Sequence, residues 1–85
     1  MKDSFLNINV TDRQSFIKLI ESMHEDLQIN PGNWENKNLS DFLEAMGRYV
    51  EGIQGYYDNT NQDVKADVAS WRLFGDIFKG STMFE

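Results

Sequence analysis

The side chains of this sequence that could act on a substrate are few, and their spacing suits catalysis poorly. His24 is the one histidine among 85 residues, and there is no cysteine. A Ser–His–Asp relay would have to run through His24, which sits beside Met23 and ahead of Glu25 and Asp26 in an amphipathic stretch; a solvated or helix-edge histidine is the expectation. The run His24-Glu25-Asp26-Leu27-Gln28 lacks the second histidine of a zinc-protease helix. Asp58 to Asp63 reads DNTNQD and offers oxygen ligands at Asn59, Asn61 and Asp63. The sixth and twelfth positions of that count are Val64 and Ser70, where a calcium loop needs glycine and a bidentate glutamate. Glu44 and Glu51 stand seven residues apart, roughly 10 Å along a helix, on a polar face with none of the burial that makes a carboxyl a general acid. The six glycines are scattered, so no phosphate cradle forms. The chemistry excludes more than it offers: no enzyme, no metal and no organic cofactor are expected.

One segment does present a pattern. In WENKNLSDFLEAMGRYVE and the two residues after it, Leu39, Phe42, Leu43, Met46, Tyr49, Val50 and Ile53 recur at three- and four-residue steps, the period of one helix face. Asp41, Glu44, Arg48 and Glu51 fall on the other side. Trp34 stands at the entrance. Such a helix can be a docking surface for a basic partner, with Trp34 as an interface anchor, or a solvated face with Trp34 closing the end of the core. Fourteen acidic against eight basic residues give a formal charge of −6. That surface would repel a phosphate backbone, so direct nucleic-acid binding is not expected. It serves either solubility or the steering of a basic protein.

Three helices would carry these residues. Thr11-Asp12-Arg13-Gln14 reads as a capping box that starts the first, whose stripe is Phe16, Ile20, Met23 and Leu27, widened by Ile17 and Leu19. Asn30-Pro31-Gly32 ends it. Asn36 or Asn38 caps the second, which is expected to reach about Gln54 and stop at Gly55. Tyr56 to Lys65 reads as a polar, flexible loop. The third begins between Asp67 and Ser70, buries Val68, Trp71, Phe74, Ile77 and Phe78, and uses Gly80 as its stop. The lead-in FLNINV alternates, as a short strand or extended segment would, and Met83 and Phe84 are expected to pack back.

Residues 1–85 make a single domain, because a chain this short supports one core. Aromatics at 13% mark a folded chain. No apolar run approaches the ~18 residues of a membrane span, no signal-peptide pattern opens the sequence, and cysteine is absent; a cytoplasmic protein with no membrane partner is the expectation.

These residues resemble a family of small bacterial domains with no assigned activity. The pattern appears as Trp34-Glu35-Asn36, Leu39, Phe42-Leu43-Glu44-Ala45, Tyr56-Tyr57 with Asn59, Ser70-Trp71-Arg72-Leu73-Phe74 and Phe84-Glu85. The stretch Asn38-Leu39, Ala45 and Val50-Glu51 also resembles the recognition helix of the barstar family, acidic inhibitors of a secreted ribonuclease. In that register Trp34 falls on an interface tyrosine and Glu44 on the principal inhibitory aspartate, while Ser40 replaces a second acidic residue. The likenesses together imply an immunity protein that neutralises a basic toxin, a nuclease, through Trp34, Asp41, Glu44 and Glu51. A structural or adaptor module is the alternative. The expected fold is all-α, a compact three-helix domain with a short N-terminal strand or lead-in; the barstar likeness implies a small α/β domain instead.

Overall fold

The computed structural model describes residues 4–84 and is all-α. A 3₁₀ turn at Phe5–Asn7 leads through an extended stretch into α1, Arg13–Ile29. A second 3₁₀ turn, Pro31–Asn33, connects to α2, Leu39–Asn59, and a loop joins that to α3, Trp71–Ser81. The described residues hold no strand, which removes the α/β alternative. FLNINV does not make a strand because Ser4 caps a turn at Phe5, and Phe5 and Val10 plug the core from a non-repeating backbone.

Each helix starts on a side-chain cap. The Asp12 carboxylate accepts from Ser15 N–H at 2.8 Å, and the Ser15 hydroxyl accepts from Asp12 N–H at 3.1 Å. This reciprocal box begins one residue later than Thr11 because aspartate followed by serine at the third position satisfies both donors. The Ser15 bonds hold the exposed Asp12 carboxyl below its ordinary range. Asn38, not Asn36, caps α2: its Oδ1 accepts from Asp41 N–H at 2.8 Å while its amide donates to the Asp41 carboxylate at 2.9 Å. Ser70 caps α3 through Leu73 N–H.

α2 runs to Asn59, through Gly55 where a stop was expected. Burial of Ile53 and Tyr57 outweighs the helix cost of a glycine, about 1 kcal/mol. Thr60 and Asn61 end it, with Asn61 at φ 58°, a left-handed conformation that asparagine tolerates. The loop beyond is tied down. The Gln54 side chain accepts from Ala66 N–H at 2.7 Å and donates to Val64 C=O at 3.0 Å, which holds Val64 and Ala66 on the core.

Two buried clusters result. Leu19 and Met23 of α1 close around Phe5, Val10 and Trp34, and Ile53 and Tyr57 of α2 close on Leu73 of α3. α3 is the central element; α2 packs on it most extensively, α1 packs on it less, and α1 and α2 scarcely meet. Close approach relies on two glycines. A Cβ on Gly75 would stand 2.6 Å from Val10 Cβ, and one on Gly80 would enter the Tyr49 ring. Gly80 is therefore inside α3, at a contact with α2, and is not its stop. Trp71, Phe74 and Val68 keep much of their surface in solvent, and Leu73 takes the deep position expected for them. The tail folds back over the α2 entrance. The Asn36 amide donates to Ser81 and Phe84 carbonyls, and Phe84 meets the Tyr49 ring edge-on at 5.4 Å. Met83 is exposed, and Glu85 lies outside the described residues.

Candidate partner-binding surface

The acidic residues of α2 stand where the helical period puts them. Glu44 and Glu51 are exposed on the side away from Ala45, Ile53 and Tyr57, and Asp41 is exposed in the first turn, one turn before Ala45. Asp41 is held by the Asn38 amide, and in the first turn its charge also offsets the helix dipole. Glu44 accepts from Arg48 at 2.6 Å, with both side chains about 60% exposed. A pair this open contributes roughly 0–1 kcal/mol to folding, so a stronger cationic partner could displace Arg48 at little cost.

Trp34 is not on this surface. Its side chain is buried against Phe5 and near Phe42, and its indole N–H donates to Asp26 Oδ2 at 2.8 Å. A ring with its N–H satisfied inside the core has nothing left to insert into a partner's pocket. Trp34 fixes the α1–α2 connection and with it the direction in which α2 sets out. His24 is exposed on α1. Among the described residues, no three histidine, aspartate or glutamate side chains converge as a metal site would require.

Tyr56 and Tyr57 divide. Tyr57 is fully buried; its hydroxyl donates to Asp76 Oδ2 at 2.7 Å, and the Arg72 guanidinium lies 5.9 Å from its ring centre. Arg72 also approaches Asp76 at 3.6 Å and donates to Gln62. Burial first, and then the bond to Asp76, raise the Tyr57 hydroxyl well above its ordinary value of 10.0. Tyr49 is raised as well, mainly by burial. The Tyr57 hydroxyl is thus both hydrogen-bonded and covered. Tyr56 is half exposed.

A feature the sequence reading missed lies on the other flank of α2. Leu39, Leu43 and Val50, all assigned to the core, are 72%, 55% and 44% exposed. The buried row is Ala45, Tyr49, Ile53 and Tyr57, four residues apart, and this row lies along α3. Ile17 and Ile20 of α1 are likewise exposed. Ala45 and Tyr57 were the available signal, since together they move the centre of the buried arc away from Leu43.

A family model, described as a family of unknown function (DUF7660), matches residues 12–85. The chain belongs to that family. The match takes in all three helices and the whole acidic surface, and no helix among the described residues is long and apolar enough to cross a membrane. No curated protein and no solved structure matches the chain.

Proposed function

We propose that this chain is a non-catalytic acidic immunity protein of the bacterial cytoplasm that binds a basic toxin, a nuclease, and covers its active site. The supporting observation is the outer face of α2, where Asp41, Glu44 and Glu51 are presented to solvent from a helix whose far end is locked into the core. Carboxylates on a rigid element stand in for substrate phosphates at a cationic site without the entropy cost of ordering a loop. The resemblance of Asn38 to Glu51 to the barstar recognition helix points the same way and makes Glu44 the central residue. The likeness concerns mode of action alone, since this fold has no strand among its described residues. Trp34 contributes by setting the helix direction.

On binding, Glu44 would exchange its solvated bond with Arg48 for desolvated bonds to arginine or lysine. Glu44→Ala would leave those cations buried and unpaired, so affinity for the cognate toxin should fall by about 2–5 kcal/mol, mainly through faster dissociation. Asp63→Ala, at the rim, should alter the association rate and its salt dependence instead. Stopped-flow kinetics at two salt concentrations measures both. Dissociation of Glu44→Ala at the parental rate would refute the mechanism.

A further inference from the structure

α1 and α2 both lean on α3 and leave a gap between them. This gap is an apolar groove of about 320 Å³, with Ile20 and Leu27 on one wall, Leu39 and Phe42 on the other and Phe78 on the floor. Phe74 and Trp71 precede Phe78 by four and seven positions and continue the floor along α3, each 38% exposed. Aromatic contacts bind floor to walls, with Phe78 at 5.2 Å from Phe16 and 6.2 Å from Phe42. With Leu39 and Leu43 more than half exposed on the crest of α2, the surface exceeds the scattered apolar residues of an ordinary exterior.

The charges beside it repeat. Glu21 directly follows Ile20, Glu44 follows Leu43, and Glu51 follows Val50; all six residues are exposed. One residue is a 100° step around a helix, so these three apolar side chains each have a carboxylate on the slope next to them. Lys37, at the α2 entrance, is the one cation among the described residues that line the groove. Gly47 lies between Leu43 and Val50 with nothing within 4 Å of the position a Cβ would take. It leaves a notch in the crest through which a long cationic side chain reaches the outer slope.

We propose that this groove seats one amphipathic helix of a partner protein, its apolar stripe on Phe74, Phe78 and Leu39 and its lysine and arginine side chains meeting Glu21, Glu44 and Glu51. A helix fits the shape because two helices form the walls and a third the floor, so a fourth completes the bundle. The acidic edges select a basic one. A second copy of this chain would bring the same carboxylates against each other, and an anionic membrane would repel them. A helix of about 18 residues is about 27 Å long, which fits within the 34 Å long axis. The proposal rests on the reading that the partner is a basic protein, and names the element of it that is recognised.

The test needs no toxin. Two display libraries of amphipathic helices about 18 residues long share an apolar stripe, one flanked by Lys and Arg and the other by Asp and Glu. Selection on the folded protein should enrich the basic library alone. Selected peptides should weaken at least tenfold, about 1.4 kcal/mol, on Leu39→Lys, a change at a solvent-facing position that leaves folding intact. Amide shifts should follow Ile20, Leu43 and Phe74. Equal enrichment from both libraries, binding unaffected by Leu39→Lys, or a concentration-dependent dimer that Leu39→Lys dissolves would each overturn the proposal. Peptides seated in the groove alongside parental toxin dissociation for Glu44→Ala would remove the inhibitory mechanism and leave the groove standing.

Discussion

The two halves of α2 have opposite assignments in the molecule. From Ile53 to Tyr57 the helix is bound to α3, with both named side chains almost fully buried and the loop above them fastened by Gln54. From Leu39 to Glu51 the same helix keeps Leu39, Leu43 and Val50 in solvent and sets Glu44 and Glu51 next to the last two. The half that stays open is the richer in aliphatic side chains, with Leu39, Leu43, Met46 and Val50 against Ile53 alone, so composition by itself would assign them the other way round. The difference comes from where α3 lies and from what packs on it. Both halves pack on the core, the N-terminal one through Phe42, Ala45 and Tyr49, but only that half leaves an apolar flank uncovered.

The sharpest way to break this contrast is to remove the anchor. Tyr57→Ala should lose about 3–5 kcal/mol, because a large ring leaves a cavity where α2 meets α3. Urea unfolding measures it, and a loss under about 1 kcal/mol would mean that the C-terminal half holds nothing in place.

Next in size is the close approach of Gly75 to Val10. Gly75→Ala should destabilise by about 1–3 kcal/mol, since the added methyl meets a buried Val10 near its backbone, where it cannot swing aside. Gly47→Ala, on the open half of α2, should go the other way and stabilise by up to about 1 kcal/mol, because the site has room and alanine is the better helix former. Thermal unfolding of the pair reads the sign directly. Equal losses would erase the distinction between closed and open surfaces.

Tyr57→Phe isolates the hydroxyl, and its loss should cost about 0.5–2 kcal/mol. The pH dependence carries its own sign. A raised folded-state value means that the native state holds its proton more tightly than the unfolded chain does, so the contribution is complete below pH 10.0 and declines as pH rises above it. Unfolding free energy of the parent should therefore fall above about pH 10. Tyr57→Phe should fall less steeply, with the remainder coming from Tyr49, which is shifted in the same direction.

Much of this architecture was legible in the residues. Helical periodicity located three helices, Asn36 or Asn38 bracketed the start of α2 and the span Asp67 to Ser70 that of α3, and the acidic side of α2 followed from a 100° step. Legibility ended where one helix depends on another. Gly80 reads as a helix stop because its contact with Tyr49 is a tertiary fact, and Gly55 reads as one because the burial of Tyr57 is not written beside it. Leu39 and Leu43 read as core because an apolar side chain at helical spacing looks the same whether a neighbour covers it or not. Trp34 read as either an interface anchor or the closure of the core's end, because its hydrogen bond to Asp26 spans a turn that sequence spacing does not reveal. Within the acidic surface the side chains could be placed but not their partners; Arg48 pairs with Glu44 at a four-residue step, as a helix allows.

The central claim is that the Leu39, Leu43 and Val50 flank of α2 is left uncovered by the fold and is open to a partner. The unfolding free energy of a Leu39→Ser, Leu43→Ser double variant tests it most directly. The account predicts a value within about 1 kcal/mol of the parent, with an unchanged urea dependence, because neither side chain leaves a cavity behind. A loss as large as that of Tyr57→Ala would show both leucines to be buried in the folded protein, and would remove the groove and the presented acidic face together.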